Sequence, residues 1–419
     1  MSEAKAPSRF TVLALLFVVY TFNFIDRQIV GILATPIKAD LGLTDTQLGL
    51  LGGFAFAIFY TSLGVPIAWL ADRWSRTWVM TIALAVWSGC TALCGLAGNY
   101  LQLFLGRVGV GVGEAGGVAP AYSLISDYFP PRERARALAI YSLGIPVGSA
   151  AGIALGGLVA SLVDWRAAFI AVGLAGVLVA PVFRFLVREP RRGQLDASPT
   201  EAAAPISLSS IIRMLTAKPS FWLVSLGAAS SSIMSYGAFF WLPSFLVRSY
   251  DLSLREASLF YAAILLIGGV LGVWLGGLLA DKLGARNRAA FAAVPAIGFA
   301  IAAPCYALAL LSPSPIAAFF LLLLPTAFGL AWLGPVIAAV QHLAPAQARS
   351  TASALFLFIN NLIGLGLGST LIGLISDELT ARFAEESLRY SILAGAGFYV
   401  IAAILLALAA GFLPRDWQD

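Results

Sequence analysis

The chain runs from Phe10 to Thr35 with only two charged residues, Asp26 and Arg27. A helix crossing a bilayer needs roughly 20 predominantly apolar residues. Eleven further runs of that kind follow. They start near Gln47, Thr77, Tyr100, Arg136, Arg166, Phe221, Glu256, Asn287, Ile316, Ala348 and Leu388. None alternates polar and apolar residues as the strands of a membrane barrel do. The expected fold is therefore all-α and membrane-embedded, with twelve transmembrane helices in two six-helix bundles. Only 11% of residues are charged, against about 25% in an ordinary soluble domain.

The connections are short except from Arg188 to Lys218, a polar stretch holding Pro and Ser that reads as a linker. The expected organisation is a first bundle over 1–187, a linker over 188–218 and a second bundle over 219–419. The first run is too long and too charged for a cleavable signal peptide. With both termini placed in the cytoplasm, six basic residues fall outside: Lys38, Arg166, Arg248, Arg255, Arg382 and Arg389. Arg27 and Arg107 lie within the membrane, leaving 18 of the 26 Lys and Arg inside. This bias follows the positive-inside rule. It makes the net charge of +5 a topology signal and excludes nucleic acid as a partner. The expected location is the plasma (inner) membrane.

Two halves repeat each other. AWLADRWSR at 68–76 returns loosely as GLLADKLGA at 277–285, so Asp72 maps onto Asp281, 209 positions later. At the same offset Thr44 to Gln47 returns as Ser253 to Glu256, each a capping box opening the second helix of its half. Pro130, Arg134 and Ala137 return with the same spacing as Pro345, Arg349 and Ala352. Parallel repeats of this kind bind substrate between them near the midplane.

The two ADR/ADK loops resemble the cytoplasmic signature of the major facilitator superfamily. Gly277 and Gly284 keep its glycines, whereas Ala68 and Ser75 replace them in the first copy. Arg107-x-x-x-Gly111 resembles that superfamily's fourth-helix motif. Asp26-Arg27, Ala71-Asp72-Arg73 and the run from Arg107 through Glu114 to Ala115 resemble the Spinster branch. That resemblance implies a transporter of lysosphingolipids or lysophospholipids, and a cavity lined by helices 1 and 4.

Asp26, Arg27, Arg107 and Glu114 are the charges placed deep in the runs, and they sum to zero. Each costs roughly 2.5–3.5 kcal/mol at a helix centre on insertion scales, so pairing among them is expected. Neighbours on a helix point about 100° apart, so Asp26 and Arg27 cannot share a face. Asp26 and Arg107 lie at matching depth, which points to contact between them and leaves Glu114 deeper. The four are read as proton-coupling groups and buried ion pairs. A static salt network is the structural alternative.

The second half supplies neutral candidates. Ser231, Ser235, Tyr236, Trp332, Phe358, Asn360 and Asn361, with Asn23 from the first run, are the expected substrate contacts. One charged wall and one apolar or aromatic wall suit an amphiphilic anion. Each serine alone also fits helix packing, whereas two adjacent amides in a membrane segment need partners. Asp72, Arg73, Arg76 and Asp281 are expected to staple the cytoplasmic side. Gly144, Gly148, Gly152 and Gly156, and separately Gly268, Gly272 and Gly276, form ladders read as a smooth rocking surface, with ordinary tight packing as the other reading.

Several motifs are set aside. Gly111 to Gly116 matches GxGxxG but follows no strand, so a dinucleotide site is rejected. No Walker A sequence is present, and the three cysteines, Cys90, Cys94 and Cys305, fall inside apolar runs as small buried residues. The lone His342 is placed in a solvated loop. No metal, no cofactor and no enzymatic activity are expected. The sequence reads as a monomeric secondary transporter moving an amphiphilic anion by alternating access, coupled to protons. A proton-linked symporter of small organic anions is the alternative within transport. A non-transporting membrane sensor is the alternative outside it.

Overall fold

The computed structural model describes residues 8–192, 195, 207–284, 286–345 and 348–418. Among these every regular element is helical. The first half comprises α1 (Arg9–Leu41), α2 (Asp45–Gly52), α3 (Phe54–Arg73), α4 (Arg76–Cys94), α5 (Tyr100–Glu114), α6 (Val118–Tyr128), α7 (Pro131–Ser142), α8 (Gly144–Leu162) and α9 (Trp165–Leu186). Then follow α10 (Leu208–Thr216), α11 (Pro219–Tyr250), α12 (Leu254–Gly284), α13 (Ala290–Leu311), α14 (Pro315–Ala331) and α15 (Leu333–Gln341). The chain ends in α16 (Arg349–Asn360), α17 (Gly366–Phe383), α18 (Ser387–Gly395) and α19 (Gly397–Asp416). A π-helical turn, Asn361–Leu365, joins α16 to α17.

Ten described stretches are long and apolar enough to cross a membrane, and the last, Thr351–Asp416, has length for two crossings. α5 and α6 supply one more, broken where α5 ends at Glu114. The total is the twelve spans expected. Large apolar side chains stay on the surface: Leu96, Leu178 and Phe185 are 69%, 69% and 82% exposed. Lipid covers such a surface at no cost to the fold.

The helices cluster into two units. The first takes in Met1–Leu43, Phe54–Thr200 and Ser253–Ala262; the second takes in Thr44–Gly53, Glu201–Leu252 and Ala263–Asp419. The opening turns of α2 and of α12 are thus each grouped with the opposite half of the sequence. The repeat is visible in the backbone. α1 ends on Gly42 with φ 64° and α11 ends on Asp251, 209 positions later, with φ 51°. Both are left-handed caps that stop a helix, and both capping boxes follow. Thr44 and Gln47 bond reciprocally, and Glu256 accepts from the Ser253 N–H at 2.9 Å.

Three local readings change. The stretch read as a linker contains α10, whose Ile211 and Leu215 are buried; its mean polarity concealed their helical spacing. Residues 193, 194 and 196–206 of that stretch lie outside the described residues. His342 is not simply solvated: its ring stacks on Trp417 with centroids 4.3 Å apart. The glycine ladders serve packing inside each unit. A Cβ on Gly148 would meet the Thr21 carbonyl oxygen and come within 2.8 Å of the Phe24 Cβ, both on α1. One on Gly272 would come within 2.8 Å of the Ala327 backbone on α14. Small residues there let two helices of one bundle touch backbone to backbone.

Overpacking of this kind costs typically about 1–3 kcal/mol. Gly148→Ala and Gly272→Ala should therefore each lower the melting temperature of the purified protein. Gly277→Ala, at a position with open space around it, should not. Equal melting temperatures for all three would refute the packing role.

Candidate functional site

The buried charges gather in the first unit around α1. Asp26 and Arg27 leave that helix in different directions, as adjacent residues must. Arg27 reaches Glu114 on α5, its Nε donating to Oε2 at 2.7 Å, with the glutamate wholly buried. The same guanidinium lies against three rings, with centroids at 5.0 Å for Phe24, 5.0 Å for Phe56 and 4.6 Å for Tyr60. Arg107 also lies against Phe56, 5.6 Å from its centroid. A desolvated cation over an aromatic face gains up to about 2 kcal/mol. Phe56 is thus shared by both arginines.

Arg107 does approach Asp26, but through the main chain: Nη1 donates to the Asp26 carbonyl oxygen at 3.4 Å. The Asp26 carboxylate itself is 1% exposed, and neither of its oxygens has a hydrogen-bond partner. Thr91 and Trp87, one turn apart on α4, are side-chain donors close enough to act on it. Trp87 Nε1 and Thr91 Oγ1 are also without partners, as are both polar atoms of Asn23. The carboxylate–guanidinium contact expected at Asp26 falls instead at Glu114, because α5 presents Glu114 toward Arg27. Glycine makes this approach possible. A Cβ on Gly113 would lie 2.6 Å from the Trp87 amide nitrogen, so α5 could not reach α4 with a larger residue there.

Sequence reasoning missed Phe56, Tyr60, Trp87 and Thr91. Both pairs stand at i,i+4, the spacing that puts two side chains on one helix face. Aromatic residues are common in membrane spans, so that signal is weak until a cation is known to lie against them.

The loop after α3 holds a second network. Arg76 is 1% exposed. Its Nε donates to Glu189 at 2.7 Å and its Nη1 to Ser123 at 2.7 Å and to Asp127. Asp127 and Arg76 join Asp26, Asp45, Arg107 and Glu114 as buried charges, so burial extends beyond the four read from the runs. Arg76 fastens α4, α6 and the chain after α9 within one unit. Asp72 lies exposed, 3.9 Å from Arg192, and Arg73 lies over Trp69 at 4.0 Å. The Asp281 side chain lies outside the described residues.

In the second unit several expected substrate contacts are engaged internally. Ser231 donates to the Ala228 carbonyl at 2.8 Å, Ser235 bonds Tyr399 at 2.9 Å, and Trp332 Nε1 donates to Gly329 at 3.0 Å. Asn360 accepts from Ser232 at 2.9 Å, just before the π-helical turn. Asn361 and Tyr236 are half-buried and Phe358 is exposed. Gly364 within that turn leaves room for Ser232, the residue that bonds Asn360. Turns of this kind are frequent at functional sites.

The Major Facilitator Superfamily model matches residues 16–369. An MFS-type efflux pump of Mycolicibacterium smegmatis is 34% identical over 99% of this chain and 96% of its own length. Protein spinster homolog 1 of Homo sapiens is 31% identical over 90% of this chain and 75% of its own. The crystal structure of a bacterial homolog to the human lysosomal transporter Spinster, inward-facing and unoccupied, superposes with a TM-score of 0.89. Its sequence identity is 33%, and 98% of each chain is covered. The chain belongs to the Major Facilitator Superfamily, whose members are membrane transporters and not enzymes. Within it, the protein is a transporter of the Spinster type.

Two outcomes follow from the charge networks. Removing one partner of a buried pair strands the other charge and typically costs about 3–5 kcal/mol, whereas replacing both by apolar residues is often neutral. Glu114→Ala should sharply lower thermal stability in detergent, and Arg27→Met with Glu114→Met should recover most of it. Equal stability of the single and double variants would show that no pair energy is present. Burial pushes the Glu189 carboxyl up, but hydrogen bonds from the Thr77 amide, Arg76 and Ser75 outweigh this and hold it below the ordinary carboxylate range. Its stabilisation is present above that range and is lost as pH falls through the lowered folded-state value. Glu189→Gln should flatten the acid limb of a melting-temperature profile against pH; an unchanged limb would refute the contribution.

Proposed function

We propose that the protein moves an amphiphilic anion, of the lysolipid or sphingosine-1-phosphate type, by alternating access coupled to protons. The observation that carries this reading is the Asp26 carboxyl, buried without a partner one residue from the Arg27–Glu114 pair. A carboxyl placed this way offsets its desolvation by holding a proton, and releases it when a cation or polar donor approaches. Arg107, already bonded to the Asp26 carbonyl, is the cation at hand. Glu114 is the second coupling carboxyl, and it competes with an anionic substrate head for Arg27.

Tyr236, Phe358 and Asn361 are the second-unit contacts assigned to the substrate, and Asn23 is the contact assigned in the first. Ser231, Ser235, Trp332 and Asn360 shape that wall through their internal bonds. Asp72 and Arg73, with Asp281, act at the cytoplasmic gate, and Arg76 holds that loop in place. The bundles run over 1–187 and 219–419 about the cytoplasmic linker 188–218. Both termini face the cytoplasm of an inner-membrane monomer, as the distribution of Lys and Arg supports. The similarity to a mycobacterial protein named as an efflux pump supports export as the direction.

A thermal-shift screen of purified protein against lysolipids and small organic acids tests the substrate class. Stabilisation by lysolipids alone is expected; stabilisation by small acids alone would favour a symporter of small organic anions. In proteoliposomes carrying the responsive ligand, Asp26→Asn and Glu114→Gln should each retain binding yet lose the response of transport to an imposed pH gradient. Wild-type pH dependence in both variants would remove these residues from coupling.

A further inference from the structure

The strongest polar cluster outside the charged site lies at the opening of α2. Thr44–Gly53 is grouped with the second unit, whereas α3, the continuation of the same span, belongs to the first. Asp45 is 1% exposed and takes both Arg248 Nη atoms, at 2.7 and 2.8 Å, plus the Ser376 hydroxyl at 2.8 Å. Asp377 answers from the other partner. It accepts the Asp45 and Thr46 N–H groups at 3.0 and 2.7 Å and the Thr46 hydroxyl at 2.6 Å. One turn further on, the Ser369 hydroxyl donates to the Gly49 carbonyl at 2.8 Å. Gly373 presses on the Asp45 backbone from α17.

The hold is ionic, bidentate and directional, which adds geometric specificity as well as energy. The span is also jointed where the grouping changes. Gly53 departs from helical geometry at φ −110° and ψ −85°, and α3 begins at the next residue. The repeat mate of this segment is built differently. Ser253–Ala262 joins the first unit through a bare contact in which a Cβ on Gly157 would lie 2.6 Å from Ser258 Oγ. Its capping acid, Glu256, bonds back to its own Ser253.

We propose that Asp45, Arg248, Ser376 and Asp377 form a latch of the transport cycle. It seats the first two turns of α2 on the second unit, and it releases them about the Gly52–Gly53 joint to uncover the face of α17 at Ser369. Release needs no chemistry beyond separating Asp45 from Arg248 and the α2 amides from Asp377. A charged pair does this readily only where water can reach both partners as they part.

The test follows a cysteine at Ser369, 2% exposed, in a background with Cys90, Cys94 and Cys305 changed to alanine. A water-soluble maleimide should label Ser369→Cys slowly in purified protein with the latch intact. Adding Asp45→Ala or Arg248→Ala should speed labelling about tenfold or more, because labelling tracks the open population. The reversal Asp45→Arg with Arg248→Asp should restore protection. A second buried reporter, Ser232→Cys, distinguishes release from unfolding and should not change. Equal Ser369→Cys rates with and without Asp45→Ala would overturn the latch. So would a parallel rise at Ser232→Cys. The assay needs no substrate and no proton gradient, so its failure is distinct from failure of the proposed function.

Discussion

The first unit depends on placing four charges within membrane-spanning helices, three of them fully buried. The Arg27–Glu114 contact is the direct ion pair among them, and much of the unit's local architecture serves it. Phe24, Phe56 and Tyr60 surround the guanidinium. The glycines of α5 let Glu114 approach by bringing that helix onto the backbones of α3 and α4. An isolated charge in a bilayer would be expelled or neutralised. Here paired charge and aromatic faces replace its hydration shell. Buried pairs of this kind are poor stabilisers compared with apolar residues of the same volume.

Asp26 is the exception within that network. Arg107 bonds its carbonyl rather than its carboxylate, and Trp87 and Thr91 stand nearby with their own donors unspent. The site therefore holds more donors than it uses in this arrangement.

The second network, around Arg76, is of a different kind. Its acceptors, Asp127 and Glu189, belong to the same unit, and it ties loop to helix without an unpaired member among those groups. The contrast is between a network whose charges are paired and one that includes a carboxylate with no hydrogen bond. The cluster at Asp45 combines a bidentate ionic contact with a break in the helix at Gly53.

The spans, the two-fold repeat and the four deep charges were legible in the sequence. Each depends on local rules: apolar length against bilayer thickness, equivalent caps at a fixed offset, and the cost of placing ionisable residues in lipid. Both capping boxes could be read because Thr44 and Gln47, or Ser253 and Glu256, meet within one turn. Which charge meets which could not. Asp26 and Glu114 are both plain carboxyls at membrane depth, and only the rotation of α5 against α1, set by Gly111 and Gly113 against Phe56 and Trp87, delivers Glu114 to Arg27. The glycine ladders were ambiguous for the same reason: a small residue permits close approach without naming the neighbour. Local sequence determined the helices and where charge would be costly. The tertiary structure decided the partners, because pairing depends on the relative rotation and depth of helices far apart in the chain.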